Sequence, residues 1–576
     1  MYTNIVSKEK TNEIVRSLLK MLNSAMTNCI GPFGSTTIIQ GRSIDEHMMT
    51  KDGKTILDHI KVNDPIADTF LRFMRTAADT LVTEVGDGST STVVAAHYIY
   101  EKLYEMLKDI DTIRPKLILD TINDIISALE IKLEQKATRI TDENMDIVGN
   151  IAAVSLNNNE KLGEMIKEIY KEIGLSGFIT VKLANSVDTH YIKSEGFQLD
   201  AGMLDKTFAN KNAESVLVDN AILMFDAIVS EESDIRGIFS LLEEINIRNA
   251  KHEPCKYKSL TVIAPGYSAF CKKHMNNINV KYERAEADKN FNFIEYSLSS
   301  GHDKDIYSDL AVMLGANIIR NSIDEDVISG DKKVETISFM DQCGYAENTI
   351  SNNKVTTFKN TAVNKMMHEQ TIKDIENELK LLKEEDIVDV AGEYSLNKRL
   401  AILKKNLVTI FVGGNTETER IANKHLVDDA VAACRSALKY GYVIGGNLSI
   451  VQCCNEILEQ DILILKIFDE MNVEGRDLTD IDKDIVIAIK EAFINVYREV
   501  LNKSAMNKTD IDEIIDHSIK NNCIYDLTTN EYGTDKIINS VKTEIEILKN
   551  VVNIISLIIT SNQFLEINAN NEYIDE

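Results

Sequence analysis

The chain is short of positive charge: 63 lysines and arginines stand against 91 aspartates and glutamates, a formal net charge of −28. That balance argues against a general nucleic-acid binder, whose footprint is a basic surface, and against adhesion to an anionic membrane. The 8 cysteines include no C-x-x-C pair and no dense spacing, so a reducing compartment is expected rather than a disulfide framework. Cys271 and His274, with Cys255 upstream, lack a fourth partner at zinc spacing and read as ordinary thiols and a lone histidine. No apolar run is long enough for a membrane span. The longest uncharged stretch, 550–565, is interrupted by Asn553, Ser556, Thr560, Ser561, Asn562 and Gln563 and reads as a buried helix. Residues 1–10 have no apolar core of a secretion signal, and neither an internal repeat nor a low-complexity linker is present. These absences lead to the expectation of a soluble intracellular protein, and 576 residues to roughly three to four domains.

What the chain does have is a stretch of glycines and hydroxyls. Gly86-Asp87-Gly88-Ser89-Thr90-Ser91-Thr92 stands directly before an apolar helical run. Glycines let a backbone approach a ligand closely, and hydroxyls and free N–H groups at a helix start are anion donors. Asp87 is the hard-oxygen group that a magnesium ion riding on phosphates would take. The same residues equally describe an N-capped helix after a glycine turn. Two more loops precede this one. Gly31-Pro32-Phe33-Gly34 ends an amphipathic helix at 8–28, and Lys51-Asp52-Gly53 follows a short strand at 36–40. Gly53-Lys54-Thr55 is not the end of a P-loop, because Met48 stands where that motif needs glycine. Three such loops among helices predict a helical domain with a nucleotide pocket at its loop tips.

The texture changes after 142. A helix at 160–174 and a strand at 177–181 lead into alternating β-rich runs (221–225, 260–264, 316–319) and helical ones (235–247, 305–313). That alternation predicts an α/β domain inserted within a helical one. Long helix returns at 364–406, a buried strand at 408–412 ends in Gly413-Gly414, and the remainder to about 565 reads as helical, with a loose tail at 568–576.

Taken together, several stretches resemble a group I chaperonin, the bacterial 60 kDa heat-shock (GroEL-like) family. They are Gly31-Pro32-Phe33-Gly34, Thr50-Lys51-Asp52-Gly53, Gly86-Asp87-Gly88-Ser89-Thr90, Gly177-Phe178-Ile179-Thr180-Val181 and Glu195-Gly196-Phe197-Gln198-Leu199-Asp200-Ala201-Gly202, then Val412-Gly413-Gly414-Asn415-Thr416-Glu417, Val427-Asp428-Asp429-Ala430, Gly445-Gly446 and 525–533. They fall in family order across nearly the whole chain. The resemblance implies a multidomain α and α/β chaperonin fold: equatorial segments 1–136 and 440–576, intermediate segments 137–192 and 392–439, and an apical polypeptide-binding domain at 193–391. It also implies a cytoplasmic ATPase, bacterial or in a phage's host, that captures non-native polypeptides within a homo-oligomeric ring, heptameric and single or double, under a co-chaperonin lid. ATP and Mg2+ are the implied cofactors, with K+ as an optional further ion.

Carried over by position, the nucleotide-binding residues are Cys29, Ile30, Gly31, Pro32, Lys51, Asp87, Gly88, Ser89, Thr90, Ser91, Gly446, Asp526, Leu527 and Asn539, with Asp87 as metal ligand. Asp429 falls on the aspartate that orients the attacking water and Asp52 on a second carboxylate near the γ-phosphate, so these two are the catalytic candidates. Polypeptide binding falls on Met203, Thr207, Phe208, Phe239 and Leu242. The departures weigh on the adenosine side: Asp526 replaces an asparagine and Asn539 an aspartate, while Asn447 replaces the third glycine of a Gly triplet and Cys29 a threonine in the first phosphate loop. The helix beginning Phe270-Cys271-Lys272-Lys273-His274 is more polar than its counterparts, which keeps open an assembly factor or scaffold dedicated to one or a few partners. Lys, Asn and Ile are abundant and prolines few, a usage that fits an AT-rich genome and a phage-encoded or endosymbiont member.

Overall fold

The computed structural model describes residues 2–40, 47–109, 115–175, 177–193, 196–211, 214–285, 289–319, 339–384, 390–404, 406–466, 473–560 and 563–568. Glu195, the side chain of His302 and residues 569–576, most of the expected tail, lie outside them. The chain divides into two compact units, one from 1–175, 179–191 and 410–576, the other from 176–178 and 192–409. One unit is thus inserted in the other, as the texture of the sequence predicts.

The first unit starts with β1 (Tyr2–Ser7) and α1 (Lys8–Thr27), then a hairpin of β2 (Thr37–Gln40) and β3 (His47–Thr50), and α2 (Gly53–His59). The helices α3 (Pro65–Val85), α4 (Ser89–Asp109) and α5 (Pro115–Lys136) follow, broken at the glycine turn and at Pro115. Asp64 caps α3 by accepting from the N–H groups of Ile66 and Ala67, with Pro65 at the first helical position. Next come α6 (Asp146–Ser155), α7 (Glu160–Ile173), β4 (Phe178–Leu183) and β5 (His190–Lys193). The helices α6 and α7 touch almost backbone to backbone: a Cβ on Gly163 would lie 2.7 Å from the Gly149 carbonyl oxygen.

In the second unit, β6 (Gly196–Leu199), β7 (Ser215–Phe225), α8 (Glu232–Ala250), β8 (Ser259–Ala264), α9 (Ala269–Arg284), β9 (Phe291–Glu295), α10 (Gly301–Leu314), β10 (Ile318–Ile319), α11 (Phe339–Gln342), β11 (Gly344–Ser351) and β12 (Thr356–Thr361) precede α12 (Lys365–Glu384) and α13 (Val390–Leu403). Its sheet has the order β6-β12-β11-β7-β8-β9, with β10 added to β7. The β7, β8 and β9 strands run parallel and β11, β12 and β6 antiparallel. One apolar cluster, including Leu223, Ile238 and Phe293, contains residues of α8 and α9, and another, including Met224, Leu310 and Phe358, contains residues of α10, α12 and α13. A polar row crosses the sheet, where the Asn220 amide donates to the Thr261 and Thr349 hydroxyls at 2.7 and 2.8 Å. The helical stretch read at 364–406 is two helices rather than one.

The chain returns through β13 (Leu407–Val412), α14 (Glu417–Tyr440), β14 (Tyr442–Ile444), α15 (Leu448–Gln460), β15 (Ile462–Lys466), β16 (Val473–Asp477), α16 (Asp480–Leu501), α17 (Lys508–Asn521), β17 (Ile524–Asp526), β18 (Glu531–Gly533), β19 (Ile538–Ser540), α18 (Val541–Thr560) and β20 (Gln563–Asn568). This segment is not wholly helical, contrary to expectation: β14 pairs with β19, β15 with β16, and β17 with β18. The helix read within 550–565 stops at Thr560, where the hydroxyl turns back to the Ser556 carbonyl, and β20 pairs antiparallel with β1. Among the described residues no helix is long and apolar enough to cross a membrane.

Helix α18 runs through the core of the first unit, burying Ile545, Leu548, Val551, Val552 and Ile555 among residues of α3, α4, α5 and α16. Two positions two residues apart on this helix separate packing from propensity. Ile555 is 1% exposed and Leu557 is 41% exposed. Ile555→Ala should lower the stability of this unit by about 3 kcal/mol and Leu557→Ala by less than about 1 kcal/mol, read as shifts of the denaturant midpoint.

Candidate functional site

One cavity of about 220 Å³ opens in the first unit, and three loops from the N-terminal half form one side of it. Cys29, Ile30, Gly31 and Pro32, directly after α1, line it first. Lys51 and Asp52 line it next, at the entrance to α2. Asp52 is fixed there as a cap, accepting from the N–H groups of Lys54 at 3.2 Å and Thr55 at 2.8 Å and from the Thr55 hydroxyl at 2.6 Å. The third loop is the glycine turn. A Cβ on Gly53 would meet the Thr90 hydroxyl oxygen at 2.2 Å, so the second and third loops touch where only glycine fits.

Gly86 ends α3 in the left-handed region at φ 80. A Cβ there would lie 2.3 Å from that of Ala432, so α14 packs directly onto the turn and Asp429, three residues before Ala432, reaches the cavity beside Asp87. Asp87 accepts from the Gly88 N–H at 2.6 Å and from the Ser155 hydroxyl at 3.4 Å. Helix α4 begins at Ser89, and the first-turn N–H groups that no helical carbonyl can satisfy belong to Ser89, Thr90 and Ser91, all at the cavity wall.

The opposite wall is C-terminal. Gly446 and Asn447 come from the turn before α15, Tyr497 and Val500 from α16, Ile524, Tyr525 and Leu527 from β17 and its turn, Ile537 and Asn539 from β19 and the residues before it, and Thr543 and Ile547 from α18. Every residue expected at the nucleotide is therefore brought to this cavity except one. Asp526 is 7% exposed and does not line it. Its carboxylate accepts from the Thr528 N–H at 2.8 Å and from the Thr528 and Thr529 hydroxyls at 2.6 and 3.0 Å, bonds that hold its pKa below the usual range against burial. It closes the β17–β18 turn, which corrects its assignment to the nucleotide.

Sequence reasoning missed Val154, Ser155, Asn157 and Asn158, which follow α6 into the cavity wall. The signal was an asparagine run after an apolar helix: Asn157 and Asn158 take φ 55 and 61, values that asparagine tolerates better than most residues. It also missed Glu544, fully buried on α18, whose carboxylate accepts from the Asn447 and Asn539 amides, each at 2.8 Å. Of the histidines, His190 stacks on Phe411 and His368 pairs with the Leu403 carbonyl. No group of three or more His, Cys, Asp or Glu among the described residues is placed to hold a metal alone, and Cys271 packs in the core of the second unit.

The polypeptide-binding candidates are corrected in part. Met203, Phe208 and Leu242 are buried in the apolar cluster of the second unit, and Phe239 packs against it, half-buried. Of the five only Thr207 is exposed. The spacing that suggested a binding stripe on α8 is the spacing of its core face. The large exposed apolar groups of α8 and α9 are Ile247, Phe270 and Val280.

Of the four charged side chains lining the cavity, three are the carboxylates of Asp52, Asp87 and Asp429 and one is Lys51. Burial raises the Asp429 pKa well above the usual range, and Asp52 and Asp87 raise it further. Asp87, open to the cavity but ringed by protein, is raised by desolvation and by Asp52 against the bond from Gly88. A divalent cation fits this set, since it relieves the repulsion and admits an anion; a magnesium ion would take one or two of these carboxylates plus oxygens of its ligand. The Cys29 thiol is pushed up to about 11, chiefly by burial, and stays protonated at neutral pH.

Glu544 is raised from 4.5 to about 7 by burial, against the two amides. The folded chain therefore holds a proton there between about pH 4.5 and 7 that the unfolded chain has lost. This contribution to stability is greatest below pH 4.5 and falls as pH rises through 7, by about 3 kcal/mol. Glu544→Gln should flatten the decline of Tm between pH 5 and 8, measured by thermal melts in matched buffers.

Residues 22–253 match the TCP-1/cpn60 chaperonin family. The chaperonin gp146 of bacteriophage EL 2 (Pseudomonas aeruginosa), crystallised in the presence of ATP-BeFx, is similar in fold, with a TM-score of 0.64 in crystal form I and 0.58 in crystal form II. Identity is 19%, and each alignment covers 98% of this chain and 99% of that one. The match over residues 22–253 and the chaperonin-like fold across nearly the whole chain agree with the inserted-domain architecture.

Proposed function

We propose that the chain is an ATP-dependent chaperonin that captures non-native polypeptides and releases them to fold inside a ring. The observation that carries this reading is the cavity in which Asp52, Asp87 and Asp429, from three distant stretches, meet the start of α4. The first-turn N–H groups of Ser89, Thr90 and Ser91 bind phosphate oxygens, and Lys51 adds the one positive side chain. Magnesium, held by Asp87, supplies neutralisation of phosphate charge. Asp429 orients the attacking water and takes its proton, a role suited by a carboxylate whose pKa is already raised; Asp52 holds the loop that carries Lys51. Tyr525, Leu527 and Ile537 offer a flat, largely apolar wall for a base. The phage chaperonin gp146 crystallised with ATP-BeFx supports a nucleotide at this fold. K+ is an optional second ion.

The five-segment partition is finer than the two compact units, and it gives this reading its hinge. Capture falls on exposed Ile247, Phe270 and Val280, since apolar surface is what unfolded chains share. That patch is sparse and α9 around it is basic and polar, which supports a narrow client range, with a dedicated assembly factor as the second reading. A homo-oligomeric ring, heptameric and single or double, a co-chaperonin lid and a cytoplasmic location complete the proposal. Self-association is supported by the β2–β3 hairpin, which exposes Ile38 and Met49.

Asp429→Asn should slow ATP hydrolysis by about 10²- to 10⁴-fold while changing the Kd for Mg-ATP less than about fivefold, as measured by steady-state turnover and calorimetry. Loss of binding in step with turnover would contradict the role given to Asp429. Absence of any Mg-ATP binding by the unaltered chain would remove the function itself. For assembly, Ile38→Asp with Met49→Asp should convert the oligomer to monomer in sedimentation velocity with the helical circular-dichroism signal intact.

A further inference from the structure

Helix α9 runs against the acidity of the chain. It carries four lysines and arginines, Lys272, Lys273, Lys281 and Arg284, against one acid, Glu283, in a protein where acids outnumber bases by 91 to 63. Cys271 and Met275 are fully buried in the apolar cluster of the second unit, with Ile278 and Tyr282 packed against it, so that side of α9 is its core face. Spacings of three and four residues put Phe270, Lys273, Asn277, Lys281 and Arg284 on one outward row, with Val280 beside Asn277. All six are exposed, Phe270 by 44% and Val280 by 42%. Lys272, off the row, pairs with Glu295 at 2.9 Å, whereas Lys273, Lys281 and Arg284 form no ion pair with any described residue. Helix α8 shows the contrary pattern. Four acids accompany its two arginines, and Arg236 and Arg248 are each tied to a glutamate one turn back, Glu232 and Glu244.

We propose that the outward row of α9 selects its occupant by charge, docking acidic segments of non-native polypeptides in which aspartates and glutamates are flanked by apolar side chains. The inference rests on the capture reading above and names the class of client it takes. Lys273 and Arg284 stand about 16 Å apart along the helix, so carboxylates over this span leave Phe270 and Val280 to cover the apolar neighbours of those acids. Either contact alone is weak, since an exposed ion pair adds little and a single exposed apolar side chain is ordinary. Apolar cover excludes water from the pairs and strengthens them, so a segment with both features is held better than a segment with one. The length of the row favours a polypeptide over a polynucleotide. Charge elsewhere on the chain is screened beyond about 8 Å in physiological salt, so a short acidic segment meets the row alone, while a polynucleotide carries its phosphates past the row onto an acidic surface.

The test titrates fluorescein-labelled peptides of about 15 residues with the full chain, read by fluorescence anisotropy; the peptides share their leucines and phenylalanines and carry net charges of about −4, 0 and +4. The unaltered protein should bind the acidic peptide about tenfold more tightly than the neutral one, the sum of several weak exposed pairs, and most of that advantage should go when salt is raised from about 0.05 to about 0.5 M. Lys273→Glu with Lys281→Glu should reverse the order, so that the basic peptide binds most tightly while the neutral peptide stays within about twofold. Should the reversal disturb the helix and weaken all three peptides alike, the milder Lys273→Gln with Lys281→Gln should still abolish the acidic preference. No preference in the unaltered protein, or an acidic preference that survives these substitutions, overturns the inference while capture stands. A single-stranded oligodeoxythymidine of equal charge that displaces the acidic peptide better than the same peptide unlabelled assigns the row to polyanions in general and likewise overturns it. Binding of none of the three peptides overturns the capture reading, and this inference with it.

Discussion

Three carboxylates share one cavity, and the charges of Asp52 and Asp87 make Asp429 harder to ionise. Asp52, Asp87 and Asp429 arrive from a helix cap, a glycine turn and the middle of α14, and the pKa of Asp429 is raised first by burial and then by the charges of the other two. Packing holds them there. The Gly86 turn lies directly against Ala432, and the absence of a side chain on Gly53 lets the second and third loops touch. A chain that folds against such repulsion carries a site already complementary to positive charge, and binding of a cation with its anion releases the strain rather than creating order afresh.

Much of this was legible in the sequence, and what was not has identifiable reasons. The α3–α4 turn could be read because glycine, hydroxyl and apolar signals are local and adjacent. Asp526 was misread because its nearest competitors are also local: Thr528 and Thr529 satisfy the carboxylate within its own turn before any ligand can. Glu544 gave no sign of burial, since an acid in the first turn of an amphipathic helix is normally a solvated one favoured by the helix dipole. The β1–β20 pair escaped because its strands are separated by nearly the whole chain, and nothing local specifies such a partner. Met203, Phe208 and Leu242 show the converse error. Apolar spacing describes a buried face equally whether the neighbour is the protein's own core or a client, and here it is the core.

The two units solve different problems of specificity. The first relies on apolar packing around α18, which tolerates substitution that conserves volume. The second threads a polar row through its sheet, where Asn220 bonds Thr261 and Thr349 on adjoining strands at full burial. A slip by one residue would expose those groups to apolar neighbours on the wrong face, so the row specifies strand register more sharply than the surrounding hydrophobic residues do.

The contact between Gly149 and Gly163 bears on mechanics. Helices that meet backbone to backbone leave no side-chain layer to deform, so α6 and α7 form a stiff strut instead of two elements that slide. One end of that strut carries Ser155 to Asp87, and the other leads through α7 into β4. Shear between the two helices would drive backbone into backbone, so the two glycines fix how α6 sits on α7 and with it where Ser155 stands beside Asp87.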